Sequence, residues 1–235
     1  MATPALLSWS GGKDAAWALH TLRQCTAIEG DAVAGNVVEV VGLLTTITEG
    51  YERIAMQGIR VDVLHAQAAA VGLPVIEARM PQRADNASYE ATFADALQRA
   101  RTRWPGVRHI AFGDLFLADI KAYREALCTR LGWTPLFPLF GRDTAQLARA
   151  MIAGGLHAAL CCVDTQQLDA KLSGHAFDVD LLDALPVHVD PCGEHGEFHT
   201  CVSAGPMFAT PILLERGNTV LRDRRFAYTD FLLAG

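Results

Sequence analysis

Apolar positions along the chain follow two alternating patterns. Short runs rich in β-branched residues predict buried strands, and apolar residues three or four positions apart predict helices. The predicted strands cover residues 5–9, 37–48, 75–80, 109–113, 134–140 and 158–163, and the predicted helices cover 14–22, 61–71, 86–103, 118–131 and 144–152. This alternation is typical of a parallel sheet with helices on both faces. We therefore predict an α/β fold whose strand-helix repeat ends with the strand at 158–163.

The pattern changes after Asp164. Four prolines fall between Pro186 and Pro211, and glycines and aspartates become frequent. Such punctuation predicts turns and short strands instead of a further strand-helix repeat. The sequence thus predicts two domains, a larger one over residues 1–165 and a small one over 166–235.

Composition narrows the class of protein. The chain has 235 residues, of which 51% are hydrophobic, and a formal net charge of −6. These values are typical of a globular protein, and the acidic balance argues against a broad nucleic-acid surface. The longest uncharged stretch, Phe198 to Leu214, contains two prolines, which argues against a membrane span. Because no export signal is evident, we expect a cytoplasmic protein with reduced cysteines; whether it forms a homo-oligomer stays open.

The clearest chemical signal is the segment Ser8–Asp14, which reads Ser-Trp-Ser-Gly-Gly-Lys-Asp between the first strand and the first helix. Adjacent glycines let backbone N–H groups approach an anion, and the helix N-terminus and Lys13 add positive charge. The segment therefore predicts a phosphate-binding loop, although its spacing matches neither the Walker loop nor the dinucleotide fingerprint. The alternative is a tight turn in which Asp14 caps the helix.

The residues Ser10-Gly11-Gly12-Lys13-Asp14 resemble the SGGxD motif of the PP-loop, or N-type ATP pyrophosphatase, superfamily. Further segments resemble the diphthine–ammonia ligase family; they are residues 56–60, 66–68, 113–115, 123–125, 138–140, 162–164 and 190–198. The resemblance implies an ATP-binding PP-loop domain followed by a small substrate-binding domain. It also implies an ATP-dependent ligase, in which a substrate carboxylate attacks the α-phosphate, pyrophosphate leaves, and ammonia displaces AMP to form an amide.

The resemblance implies that the loop residues and Gly113 bind the nucleotide; they are Ser8, Ser10, Gly11, Gly12, Lys13 and Asp14. Lys13 and Arg124 are also candidate catalytic residues, Arg124 as a clamp on a phosphate or carboxylate. Asp14 and Asp114 are candidate Mg²⁺ ligands, because a hard cation on phosphates takes carboxylate oxygens. For the two aspartates the alternative is helix capping, and for Arg124 it is a surface ion pair.

Two glutamates lie in a segment interrupted by glycines, Cys192 to Thr200. Such a segment favours a tight loop that turns Glu194 and Glu197 toward a cleft, where a carboxylate could attract ammonium and accept its proton. One alternative is an acidic surface loop. Another is a zinc site built from the thiols and imidazoles of the same segment, Cys192, His195, His199 and Cys201.

Three departures from the family pattern qualify the expected substrate. Ala15 stands where the family usually has a hydroxyl, Gln57 replaces a frequent His, and His195 and His199 stand where the ligases typically have Gly and Glu. The two histidines are expected to titrate near neutrality. We therefore expect the acceptor to be a small or protein-borne carboxylate other than diphthine. A nucleotide sensor without turnover and a PP-loop tRNA-modifying enzyme remain as alternatives.

Overall fold

The computed structural model describes residues 2–24 and 37–235 and contains two sheets. The strands are β1 (Thr3–Ser8), β2 (Val38–Thr48), β3 (Arg53–Ile54), β4 (Val75–Met80), β5 (His109–Ala111), β6 (Thr134–Leu136), β7 (His157–Asp164), β8 (Phe198–Ala204), β9 (Leu214–Arg222) and β10 (Phe226–Leu233). The helices are α1 (Lys13–Gln24), α2 (Val61–Val71), α3 (Asn86–Arg103), α4 (Ala118–Arg130), α5 (Thr144–Ala153) and α6 (Val179–Ala184). A short 3₁₀ turn covers Ala170–Leu172.

The chain forms two compact units that interleave in sequence. The first unit comprises the described residues of Met1–Ser10, Asp14–Glu52 and Leu73–Gly141, and the second comprises Gly11–Lys13, Arg53–Gly72 and Arg142–Gly235. Three residues of the glycine turn thus belong to the second unit, although the residues before and after them belong to the first. The domain change near residue 165 stays a prediction.

The first unit contains a parallel sheet with the order β4-β2-β1-β5-β6. Its strands are almost continuously apolar because both faces are covered, and Leu6, Phe93 and Phe112 lie in one buried cluster. The chain passes from β1 to β2 on one side and later returns to β5 on the other. This reversal makes the carboxyl end of β1 the switch point where open α/β sheets bind ligands.

The second unit contains an antiparallel sheet with the order β8-β7-β10-β9. The expectation that the strand at 158–163 extends the parallel sheet is therefore wrong, because β7 pairs antiparallel with β8 and β10. A short apolar strand buried on both faces carries no periodicity that distinguishes the two kinds of sheet. The expectation of strands instead of a further strand-helix repeat beyond Asp164 is confirmed.

Helix boundaries follow local capping chemistry. The side chains of Asp85, Asp143 and Asp178 each accept a backbone N–H at the start of α3, α5 and α6. Helix α2 ends at Gly72, which adopts a left-handed conformation with φ of 70°. None of the helices in residues 2–24 and 37–235 combines the length and apolar composition that crossing a bilayer needs.

Candidate functional site

The first unit brings several predicted site residues to the switch point of its sheet. Ser8 is the last residue of β1, and the following Trp9 is held by a hydrogen bond from Thr45 Oγ1 to its carbonyl, 2.8 Å long. Gly113 follows β5, and a Cβ atom there would lie 2.9 Å from the carbonyl carbon of Asp14. The loop after β5 therefore packs directly on the first turn of α1. Only glycine allows so close an approach without displacing the backbone.

Asp114 and Arg124 form an ion pair in the first unit. Arg124 Nε lies 2.5 Å from Asp114 Oδ2, and Nη2 lies 3.3 Å from Oδ1. The guanidinium also stacks at 4.3 Å over the ring of Phe112, which restricts its rotamers. Arg124 thus orients the carboxylate that the sequence predicts as a Mg²⁺ ligand, and the predicted phosphate clamp is directed toward that carboxylate in this structure.

The second unit holds the three residues of the glycine turn, Gly11–Lys13, which we call the glycine loop. The Gly11 carbonyl accepts two hydrogen bonds, one from Gln67 Nε2 and one from the N–H of Val202, each 3.0 Å long. Gly11 has φ of 76°, a left-handed conformation that favours glycine. A Cβ atom there would also lie 2.8 Å from both Gln67 Oε1 and Ile59 Cδ1.

Lys13 connects the glycine loop to the C-terminal segment of the same unit. Its backbone N–H donates to Thr200 Oγ1 at 3.0 Å, and its ammonium donates to the carbonyl of Cys192. The ammonium also lies 5.7 Å and 5.5 Å from the ring centroids of Phe177 and Phe198, and the residue is 2% exposed. A buried ammonium needs such polar and aromatic partners. The role of Lys13 in phosphate binding stays a prediction.

Residues 190–197, which we call the acidic loop, are folded around two carboxylates. Glu197 is 1% exposed, and its two oxygens accept the N–H groups of Asp190 and His195, each at 2.9 Å. Asp190 Oδ1 accepts the N–H groups of Cys192 at 2.9 Å and Glu194 at 3.2 Å. Its Oδ2 accepts the hydroxyl of Thr144 at 2.6 Å. Glu194 is half-buried, whereas Glu197 lies inside the loop that it organises.

His199 behaves differently from the sequence-based expectation. Burial, followed by the positive charge of Lys13, lowers the pKa of His199 to about 4. The expectation that this histidine titrates near neutrality is therefore wrong. A neutral imidazole next to a buried ammonium avoids placing two positive charges together. The sequence could not show this, because the electrostatic interaction joins residues far apart in the chain.

The structure gives no support to the zinc alternative. Across the described residues, no three His, Cys, Asp or Glu side chains converge on a metal-sized site. None of the five cysteines in the described part of the chain forms a disulfide, and all five are buried. For Mg²⁺, Asp14 and Asp114 offer the oxygen donors that this cation prefers, and Gly113 brings the loop of Asp114 onto the backbone of Asp14. The residues present therefore fit a magnesium site in their chemistry.

Sequence reasoning assigned no role to three residues that shape these loops: Gln67, Asp190 and Thr200. Gln67 is 0% exposed on a helix that is otherwise mostly apolar on its buried face. A polar side chain on a buried helix face must have hydrogen-bond partners. The glutamine among the apolar positions of α2 was therefore the one signal in the sequence that pointed to Gln67. Asp190 and Thr200 carried no comparable signal, because aspartate and threonine are ordinary residues of loops and strand ends.

The parallel sheet, the glycine loop after its central strand and the added C-terminal sheet define an α/β protein with a PP-loop domain. Residues 2–135 match the family model described as diphthamide synthase N-terminal domain, and residues 143–225 match the one described as diphthamide synthase C-terminal domain. Together the two matches cover most of the chain in the expected order. The chain therefore belongs to the diphthamide synthase family.

Similar proteins carry the name diphthine–ammonia ligase. The Schizosaccharomyces pombe protein is 25% identical over 220 residues, which cover 87% of this chain and 35% of the relative. The Danio rerio protein is 35% identical over 125 residues, covering 49% of this chain and 48% of the relative. The Homo sapiens protein is 32% identical over 113 residues, covering 45% and 42%. The aligned part thus spans between a third and a half of the length of these relatives.

Proposed function

We propose that this protein is an ATP-dependent ligase that converts a carboxylate to an amide. The carboxylate attacks the α-phosphate of ATP, giving an acyl-adenylate and pyrophosphate. Ammonia then displaces AMP from the acyl carbon and releases one proton. The observation that carries the proposal is the contact of the glycine loop with the acidic loop through Lys13, whose ammonium donates to Cys192. The segment proposed to bind phosphate and a carboxylate-bearing segment are thereby adjacent in one unit.

The glycine loop is proposed to hold the pyrophosphate portion of ATP. Negative charge on the leaving pyrophosphate grows in the transition state, so fixed N–H donors and a nearby positive charge lower the barrier. The nucleotide-binding residues proposed at this point are Ser8, Ser10, Gly11 and Gly12. Lys13 supplies the positive charge. Asp14 and Asp114 would hold Mg²⁺, which supplies charge neutralisation on the phosphates, and Arg124 orients Asp114.

Ammonium must lose a proton before its nitrogen can attack an acyl carbon. We assign this proton transfer to Glu194, because Glu197 uses both of its oxygens to accept backbone N–H groups. Glu197 then affects the reaction indirectly, because it fixes the conformation of the acidic loop. The predicted pair of catalytic glutamates is thus divided in this proposal into one proton acceptor and one positioning residue.

The direct test is product analysis with ATP labelled in the α-phosphate, ammonium and a set of carboxylates. We expect AMP and pyrophosphate only when an acceptor carboxylate is present, and an amide only when ammonium is added. Glu194→Gln is expected to slow amide formation more than acyl-adenylate formation. Glu215→Gln is the matched control, since Glu215 is exposed on β9. Formation of ADP, or absence of AMP with every acceptor, would overturn the proposal.

The acceptor is proposed to be a carboxylate other than diphthine, since the acidic loop carries His195 and His199 where the resemblance leads us to expect Gly and Glu. The test compares elongation factor 2 bearing diphthine with small carboxylates as acceptors. Efficient amidation of the diphthine-bearing protein would contradict this part of the proposal. The same result would not contradict the proposed adenylation of a carboxylate.

A nucleotide sensor is the second candidate, favoured by Ala15, which is 4% exposed at the start of α1 and offers no hydroxyl. A sensor would bind ATP or AMP in calorimetry and form no product with any acceptor. Its affinity would also be insensitive to Glu194→Gln. A tRNA-modifying enzyme is less compatible with the net charge of −6, and would require RNA binding that weakens steeply with salt.

A further inference from the structure

The glycine loop is held from one side by groups that lie outside the SGGxD motif. Gln67 is fully buried on α2, and both hydrogens of its amide are used, one on the Gly11 carbonyl at 3.0 Å and one on the Val202 carbonyl at 2.8 Å. Val202 in turn donates its own N–H to the Gly11 carbonyl. Helix α2, strand β8 and the glycine loop therefore meet at one amide group.

This arrangement fixes the direction of the next N–H group. In a planar trans peptide, the carbonyl of one residue and the N–H of the following residue point in opposite directions. Because two donors hold the Gly11 carbonyl, the Gly12 N–H is directed to the side of the loop opposite β8. The second contact, from Lys13 N–H to Thr200 Oγ1, fixes the other end of the same three residues.

We propose that Gln67 and Thr200 are positioning residues that preorganise the glycine loop for the pyrophosphate portion of a nucleotide. The inference rests on the function proposed above and identifies what in this chain sets the loop for it. Neither side chain needs to touch the ligand. A loop of two glycines has many accessible conformations, and an anion site works only when its N–H groups are already directed before binding.

The hydrogen-bonding groups of Gln67 and Thr200 determine which substitutions test the proposal. Gln67→Leu has similar bulk and no donor, so the Gly11 carbonyl loses one partner and the peptide is freer to rotate. Gln67→Glu places a carboxylate oxygen against two carbonyl oxygens, which repels them and favours a rotated peptide. Thr200→Val removes the acceptor of the Lys13 N–H, whereas Thr200→Ser retains it.

The experiment measures dissociation constants for inorganic pyrophosphate, ATP and AMP by calorimetry, with thermal unfolding of each variant in parallel. Removing a residue that orients a ligand-binding group costs about 10- to 100-fold in affinity at metal sites, so we expect losses of this size for pyrophosphate and ATP with Gln67→Leu, Gln67→Glu and Thr200→Val. AMP, which lacks the outer phosphates, should lose much less affinity. Thr200→Ser should restore wild-type affinity, and this rescue is independent of whether the Gln67 variants fold.

The matched control is Ser173→Ala in the same unit. Ser173 is 0% exposed, donates to the Ala227 carbonyl at 3.0 Å and bonds Thr229 Oγ1 at 2.7 Å. We expect this variant to lower the unfolding temperature and leave all three dissociation constants unchanged. The inference is overturned if folded Gln67→Leu and Thr200→Val bind pyrophosphate as the wild type does, or if Ser173→Ala loses the same affinity. Failure of the wild type to bind ATP or pyrophosphate would instead overturn the proposed function, and this inference with it.

Discussion

Glu197 shows how much a single carboxylate can do for the shape of a loop. Its two oxygens accept N–H groups from Asp190 and His195, at the first and sixth positions of the acidic loop. Buried N–H groups without acceptors are costly, so the carboxylate both satisfies them and closes the loop. Asp190 acts in the same way, because its Oδ1 accepts the N–H groups of Cys192 and Glu194.

The two glutamates should therefore respond differently to the same substitution. Glu197→Gln replaces one accepting oxygen by an amide NH₂ that cannot accept, and we expect it to lower the free energy of unfolding by about 1–3 kcal/mol. Glu194→Gln should leave stability nearly unchanged and reduce amide formation. Urea denaturation together with activity measurements checks this. Equal destabilisation by both variants would contradict the division of roles.

A second prediction at this scale concerns acid stability. The hydrogen bond from Arg225 lowers the pKa of Asp164 from 3.8 to about 2, and the side chains meet at 2.9 and 2.6 Å. Because the folded pKa is below the unfolded one, the stabilisation is complete above about pH 4 and is lost as the pH falls toward 2. We expect this contribution to be smaller than the pKa shift alone implies, because Arg225 is partly exposed and water screens the pair.

Denaturation at several pH values tests this with Asp164→Asn. The variant should be less stable than the wild type near neutral pH, and the difference should shrink as the solution is acidified. The control is Asp183→Asn, which breaks the exposed pair of Asp183 with Arg149. Exposed pairs contribute little, so this control should match the wild type throughout. A constant difference for Asp164→Asn at all pH values would contradict the prediction.

At the scale of elements, the packing of the β5 loop on the start of α1 depends on Gly113. A Cβ atom there would lie 2.9 Å from the Asp14 carbonyl carbon and 3.0 Å from the Ala15 nitrogen. We expect Gly113→Ala to displace α1, to lower stability by about 1–3 kcal/mol as overpacking does, and to weaken ATP binding. Gly106→Ala is the control, because nothing lies within 4 Å of its added Cβ. Thermal unfolding and calorimetry compare the two.

The sequence predicted several helices and strands of both units well. Helices α2 and α3 and strand β4 have the predicted bounds, because their ends carry strong signals such as Gly72 and the capping Asp85. The sheet to which β7 belongs was not predictable, since pairing partners lie far away in the chain. Strands β9 and β10 were foreseen only as short strands, and their mostly exposed or half-buried residues give a weak apolar pattern.

For the candidate site, the sequence identified the segments that carry chemically important residues. It did not identify the contacts that their side chains make. The glycine loop and the acidic loop were both predicted from glycines and charged residues. The direction of the Lys13 side chain was not, since a flexible four-carbon stem can reach many partners and Cys192 lies 179 positions away. Gln67 lies within one of the segments that resemble the family, but its type predicts no role, because a glutamine in a helix is ordinary until its burial is known.

At the scale of the whole molecule, nucleotide binding should appear as stabilisation of the folded chain. A ligand at 100 times its dissociation constant stabilises the state that binds it by about 2.7 kcal/mol. For a chain of this size, we expect the unfolding temperature to rise by about 5–10 °C with saturating ATP or pyrophosphate. AMP should give a smaller rise at equal concentration. No shift with ATP or pyrophosphate would contradict the proposed phosphate site.

The contact from Lys13 to Thr200 spans 187 positions, and this separation has a consequence for synthesis on the ribosome. The segment Gly11–Lys13 is translated well before β8, the strand that holds it. A nascent chain can assemble the parallel sheet before that strand exists, but it cannot complete the glycine loop. The glycine loop can therefore reach its folded conformation only after Thr200 and Val202 have emerged from the ribosome.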